Sequence, residues 1–221
     1  DWNQAGPDKE VELTDSLKEK NVIWEMVQFN QSYSYEDFIE GHRPTENGGL
    51  KIVHGIFKRF ATVAAQEKNK DKKFVFIIDE INRGELSKIL GELFYSIDPG
   101  YRGVIGRVKT QYQNLIAEED TFYDGFYVPE NVYILGTMND IDRSVESMDF
   151  AIRRRFAWRE ISAIDTQEEM LYLLDESIRE KAKRSMNALN DAILNPDYHL
   201  GTAYQIGASY FLKLLHDSNF D

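Results

Sequence analysis

The 221-residue sequence has no cysteine, which excludes disulfides, thiolate zinc sites and a cysteine nucleophile, and fits a reducing compartment. Long apolar runs are also missing. The longest, Phe74 to Ile78, has five residues, against the ~20 needed to cross a bilayer, so no membrane span is expected. The opening stretch, DWNQAGPDKEVELTDSLKEK, has neither a basic start nor an apolar segment to serve as a secretory signal, and a cytoplasmic location is expected. Basic charge is in short supply: 26 Lys and Arg face 38 Asp and Glu, a net charge of −12. That balance opposes general attraction to phosphate backbones. The histidines, His42, His54, His199 and His216, show no HExxH or paired metal spacing and read as core or surface residues.

What is present describes a globular chain. Hydrophobic residues make up 42% and aromatics 13%, far from disordered or fibrous compositions, and the length suits one large domain or a domain with a small appendage. Val22 to Phe29 reads as a strand. Ser34, with Asp37 three positions on, resembles a capping box opening a short helix that stops near Gly41. Beyond Gly48-Gly49, the spacing of Val53, Ile56, Phe57, Phe60, Val63 and Ala64 predicts a helix with one buried face, ending in the lysine-rich turn at Lys68 to Lys73. Phe74 to Ile78 is a continuous β-branched and aromatic run, expected to be a strand buried on both faces of a parallel sheet. Leu86 to Ile97 predicts a helix closed by Asp98-Pro99-Gly100. A hairpin is expected around Val104 to Val108, a strand over Asn131 to Leu135, a short helix over Met148 to Arg153, and a strand over Phe156 to Ile161. After Ile164 only helical patterns follow: Glu168 to Leu174, Ile178 to Leu194 with Ile178, Ala182, Met186, Leu189 and Ile193 on one face, and Ile206 to Leu215. The change from αβ alternation to helices alone marks a domain boundary, giving an α/β core over 1–164 and a helical piece over 165–221.

Three places carry candidate chemistry. In FVFIIDEINR, residues 74–83, a buried strand delivers Asp79 and Glu80 to the carboxyl edge of the sheet, where open α/β sheets bind ligands. One carboxylate can face a Mg²⁺ shell and the next an attacking water, which is the logic of a Walker B strand; an acidic pair capping the next helix is the alternative. A second strand, VYILGT, ends near Asn139, whose amide can hydrogen-bond a γ-phosphate and the lytic water or serve as a turn residue. Asp142 belongs to the same loop and can orient Asn139 or the water, or cap a helix. The basic run Arg153, Arg154 and Arg155 offers guanidinium forks for phosphate oxygens or ordinary surface charge.

The runs VQFNQSYSYEDFIEGHRP (27–44), FIIDEINRGELSKILGELF (76–94), FYVPENVYILGTMNDIDRS (126–144), MDFAIRRRF (148–156) and YQIGASYF (204–211) resemble, in order and spacing, the McrB family of AAA+ GTPases. The resemblance implies an AAA+ P-loop NTPase core with a parallel sheet and a small C-terminal helical lid. It implies Asp79 as the Mg²⁺-associated Walker B residue, Glu80 as catalytic carboxylate, Asn139 as sensor with Asp142 beside it, and Arg154 or Arg155 as an arginine finger. It further implies GTP or ATP as the bound nucleotide, a ring oligomer, expected as a hexamer, a McrC-like nuclease and stimulatory subunit as partner, and DNA engaged through a separate domain.

The sequence departs from the family in two ways. The signature loop, usually MNTADRS, here reads MNDIDRS, residues 138–144, which weakens the case for GTP over ATP. No G-x-x-x-x-G-K-[ST] occurs in the chain; GGLK at 48–51 and GRVKT at 106–110 lack the pattern, so the phosphate cradle and the first strand are missing. The expectation is a fragment, inactive alone, of a motor whose full length hydrolyses nucleotide. The rivals are a MoxR-like ATP-dependent chaperone-type protein, which shares DEINR, and a non-catalytic AAA+ assembly module. The 221-residue chain is therefore expected to show no detectable NTP hydrolysis; turnover that disappears in Glu80→Gln would defeat this.

Overall fold

The computed structural model describes residues 22–46, 48–139 and 150–215. The chain divides between Phe156 and Ala157 into two compact units, the first of them built on a parallel sheet. Its strands are β1 (Val22–Gln28), β4 (Lys73–Asp79) and β5 (Val132–Gly136), in the order β1-β4-β5 with β4 central. Register pairs Gln28 with Asp79 and Ile78 with Gly136, so all three carboxyl ends reach one edge. Phe74, Phe76 and Ile78 of β4 are buried, while Val75 and Ile77 are only half-buried. The strand expected to be buried on both faces is thus fully covered on one.

Parallel neighbours need a crossover, and the β1–β4 connection builds the core of this unit. Ser34 caps α1 (Tyr35–Phe38): its hydroxyl oxygen accepts from the Asp37 amide at 3.3 Å and donates to the Asp37 carboxylate at 2.9 Å. The chain then runs into an antiparallel hairpin, β2 (Glu40–Pro44) and β3 (Leu50–His54), which sequence pattern did not predict. Val53 therefore lies in a strand, and helix α2 covers Ile56–Ala64. Gly55 precedes it where a Cβ would sit 2.3 Å from the Phe38 carbonyl carbon; only glycine allows that approach. Helix α2 buries Phe57, Phe60, Ala61 and Ala64. Phe57 stacks on Phe38 at 4.9 Å and meets Phe76 edge-on at 5.0 Å, and Phe60 meets Phe74 at 5.4 Å, arrangements favoured by ring quadrupoles.

Beneath these rings lies a charge pair invisible in the pattern. The Lys58 ammonium on α2 donates to the Glu40 carboxylate on β2, and both side chains are 0% exposed. Glu40 Oε1 has no hydrogen-bond partner. Lys58 also lies 5.7 Å from the Phe126 ring centroid. Nearby, His54 Nε2 contacts Asp120 Oδ2 at 3.0 Å; burial, and then the Lys58 charge, hold its pKa below the ordinary 6.5.

The remaining expectations are met in part. The helix over Leu86 to Ile97 is two, α3 (Leu86–Leu90) and α4 (Leu93–Ser96), because Gly91 takes φ +49° between them. At Val104 to Val108 a 3₁₀ turn over Gly103–Gly106 replaces the expected hairpin, leaving one isolated bridge from Val108 to Phe126. Helix α5 covers Phe150–Arg153. No strand forms over residues 156–161, where half of the side chains that would alternate are charged or small.

The second unit contains α6 (Asp165–Leu171), α7 (Glu176–Ile193) and a 3₁₀ helix over Ala208–Leu215, closing a small core of Leu171, Leu174, Ala182, Met186 and Ala208. On α7 the buried stripe includes Ala182, Met186 and Asn190, whereas Leu189 is exposed. Asn190 turns inward because its amide donates to the Ile206 carbonyl at 3.1 Å and accepts from the Ile206 amide at 2.7 Å. Among the described residues no helix is long and apolar enough to cross a membrane.

Removing one member of a buried pair strands the other's charge. Lys58→Met should cost about 3–5 kcal/mol in urea unfolding, and Glu40→Leu with Lys58→Met should recover most of that loss. A single mutant as stable as the parent would refute the assignment.

Candidate functional site

The junction at the carboxyl edge of the sheet is built from the ends of all three strands. Asp79 closes β4, and each of its carboxylate oxygens accepts a hydrogen bond from a neighbouring strand's polar end. Gln28 Nε2 donates to Oδ2 at 3.1 Å, and Thr137 Oγ1 donates to Oδ1 at 2.5 Å. The backbone continues the ladder past the strands: the Phe29 amide donates to the Asp79 carbonyl, the Thr137 amide to the Ile78 carbonyl and the Ile81 amide to the Thr137 carbonyl, each at 2.9 Å.

Glu80 follows in the left-handed region, at φ 53° and ψ 45°, which is uncommon for a residue with a side chain and is stored where surrounding contacts over-determine it. Its amide donates to Thr137 Oγ1 at 3.3 Å. Its Oε2 is buried without a hydrogen bond and makes an ion-pair contact with Arg83 Nε at 3.4 Å. Two residues on, Asn82 Nδ2 donates to the Asn139 carbonyl at 3.2 Å, while Asn82 Oδ1 is buried without a partner. The turn after β4 is thus bonded to the turn after β5. Buried acceptors without a hydrogen bond are rare in folded chains; of these two, Glu80 Oε2 has the Arg83 ion pair and Asn82 Oδ1 has none.

Of the residues singled out in the sequence, Asp79, Glu80 and the Asn139 backbone come together at this edge, with Asn139 exposed. Asp142 lies outside the described residues. The two arginines differ in placement. Arg154 is exposed. Arg155 is half-buried, its guanidinium over the Phe94 ring at 4.2 Å and Nη1 donating to the Ala151 carbonyl. Gln28 and Thr137 were not picked out from the sequence, although each is the polar end of an apolar strand, the same signal that drew attention to Asp79. Two carboxylates and two amide or hydroxyl groups can present acceptors and donors to a ligand bearing both a hard cation and oxygens.

Comparison with known proteins gives this junction a context. Residues 11–156 match the model of the AAA domain, dynein-related subfamily. The chain is 44% identical over 198 residues to the Type IV methyl-directed restriction enzyme EcoKMcrB subunit of Escherichia coli K12, covering 87% of this chain and 41% of that protein. It is 27% identical over 162 residues to the Type II restriction enzyme BsuMI component YdiS of Bacillus subtilis 168, covering 62% of this chain and 47% of that protein. The chain therefore spans less than half the length of these two relatives.

Gly136, at the end of β5, faces the turn that holds Glu80: a Cβ there would come within 2.8 Å of Ile81 Cδ1 and 3.2 Å of its Cγ2. Ile81 is buried, so it has little room to yield. Gly136→Val should cost about 1–3 kcal/mol in urea unfolding, the range for overpacking a filled site; no change in the midpoint would show that the turn is not packed against the strand.

Proposed function

The chain belongs to the AAA domain family, in its dynein-related subfamily, and on that premise we propose that it is the hydrolytic segment of a McrB-like, nucleotide-driven restriction motor. The observation that carries this reading is the bonded junction of two turns, one holding Asp79 and Glu80 and the other Asn139. In the proposed mechanism Asp79 would hold the Mg²⁺ that accompanies a triphosphate. Glu80 Oε2, buried and without a hydrogen bond, is the acceptor for the proton of the attacking water, and the Asn139 amide steadies that water against the γ-phosphate. The donor set suits the ion: Mg²⁺ is usually held by one or two carboxylates, waters and substrate phosphates, and the described residues contain no cluster of three or more His, Asp or Glu that would form a protein cage. A Mg²⁺ ion held by Asp79 would supply charge neutralisation for the triphosphate.

Arg154, exposed on the first unit, is proposed as the finger that reaches the nucleotide of the next copy in a ring, proposed as a hexamer. Arg155 supports it from its seat on Phe94. The helical unit is proposed as the lid. Similarity to the McrB subunit extends the proposal to GTP as fuel, a McrC-like nuclease subunit as stimulating partner, and DNA engaged by a separate domain. ATP is the second reading, since the departure of MNDIDRS from the family signature at Asp140 and Ile141 weakens the case for GTP.

The test uses the protein encoded by the native gene, assayed with GTP and ATP in parallel. Glu80→Gln and Arg154→Ala should each lower turnover by ~10³-fold or more while leaving nucleotide binding intact. Mixed in equal amounts, the two mutants should regain part of the activity, because some interfaces then pair an intact Glu80 with an intact Arg154. Full turnover in Glu80→Gln would defeat the reading, and no recovery in the mixture would defeat action between subunits.

A further inference from the structure

We infer that Thr137 is a positioning residue whose hydroxyl holds the Asp79 carboxylate and the left-handed turn at Glu80 as one unit, with Gln28 closing Asp79's other oxygen. The inference rests on the nucleotide reading of this edge and adds residues to which that reading gives no role.

A hydroxyl has one proton to give and two lone pairs to offer. Thr137 gives its proton to Asp79 Oδ1 at 2.5 Å, a bond strengthened by the charge on its acceptor, and offers a lone pair to the Glu80 amide at 3.3 Å. Both uses therefore fall on the same oxygen atom. The hydroxyl's own place is fixed from each side by backbone: Thr137 donates its amide to Ile78 and accepts from the Ile81 amide, both at 2.9 Å. A β-branched side chain adds stiffness about χ1. The hydroxyl position follows from the β4–β5 register.

Gln28 reaches the same carboxylate from the opposite strand, because register sets it beside Asp79. With Nε2 on Oδ2 at 3.1 Å, a rotation of the carboxylate would break bonds on both sides. Each oxygen has given up one acceptor direction and keeps another for a ligand. Asp79 arrives at its ligand already oriented, and the strained Glu80 backbone is tied to the same hydroxyl.

The experiment uses the protein encoded by the native gene with four variants: Thr137→Val, which keeps shape and loses the hydroxyl, Thr137→Ser, which restores it, Gln28→Leu and Asp79→Asn. Two quantities are read: the Mg²⁺ concentration giving half-maximal NTP turnover, and binding of the Mn²⁺–nucleotide complex followed by electron paramagnetic resonance, which needs no turnover. Thr137→Val should weaken Mn²⁺–nucleotide binding and raise the Mg²⁺ requirement by about tenfold, the loss expected for one hydrogen bond to a charged group, with metal-free nucleotide affinity unchanged. Thr137→Ser should stay within about threefold of the parent, since it retains the donor. If Thr137→Val does not fold, Gln28→Leu carries the same test from the other oxygen with a shift in the same direction. Parent-like values in Thr137→Val and Gln28→Leu, or an equal loss in Thr137→Val and Thr137→Ser, overturn the inference while Asp79→Asn still shows its defect. Parent-like binding in Asp79→Asn overturns the nucleotide reading itself.

Discussion

The parallel pairing of β4 with a strand on each side is the constraint on which the rest of the first unit depends. Side chains alternate with a period of two, so a slip of one residue would turn a whole strand over. The alternation that buries Phe74, Phe76 and Ile78 is therefore also what aims Asp79 away from the core and toward Gln28 and Thr137. Core packing and site geometry are set by one register, and the aromatic cluster around Phe57 and Phe76 makes alternatives to that register costly. Parallel order adds the second half of the arrangement: three carboxyl ends meet at one edge because the connections cross back each time.

Those connections have a polar cost. The β1–β4 crossover folds a hairpin into its length and brings Glu40 beneath α2, where Lys58 neutralises it with no solvent contact for either. Attraction inside the core offsets desolvation only when geometry is good, and one oxygen of Glu40 is left without a hydrogen bond. Such a pair adds little net stability over an apolar one. Among the described residues Lys58 is the only cation buried in the core, so that carboxylate has a single available counter-charge.

Much of this was legible in the sequence where the physics is local. The strand patterns at Val22, Phe74 and Asn131 are legible as three strands, and the polar ends of the last two point to one edge. The cap at Ser34 and the turn at Asp98 were readable because a side chain bonds its own neighbouring backbone. What could not be read depends on distant contacts. Gly91 divides a helix whose apolar spacing is continuous, because it takes a positive φ against the Tyr35 ring, 2.8 Å from where a Cβ would be. The hairpin at Glu40 to His54 carries few apolar residues, and Lys58 lies outside the apolar spacing that predicts α2. At the site, Asp79 and Glu80 were recognisable as paired carboxylates, but Gln28 and Thr137 acquire meaning only once register places them on either side of Asp79. The divergence between Arg154 and Arg155 likewise needed Phe94, about sixty positions away in sequence, to be seen beneath one of them.

The left-handed backbone at Glu80 has an evolutionary corollary. Glycine would occupy that conformation without strain, so among random replacements at this position the one that relaxes the main chain also deletes the carboxylate. A laboratory selection that rewards heat tolerance alone would therefore favour glycine at this position.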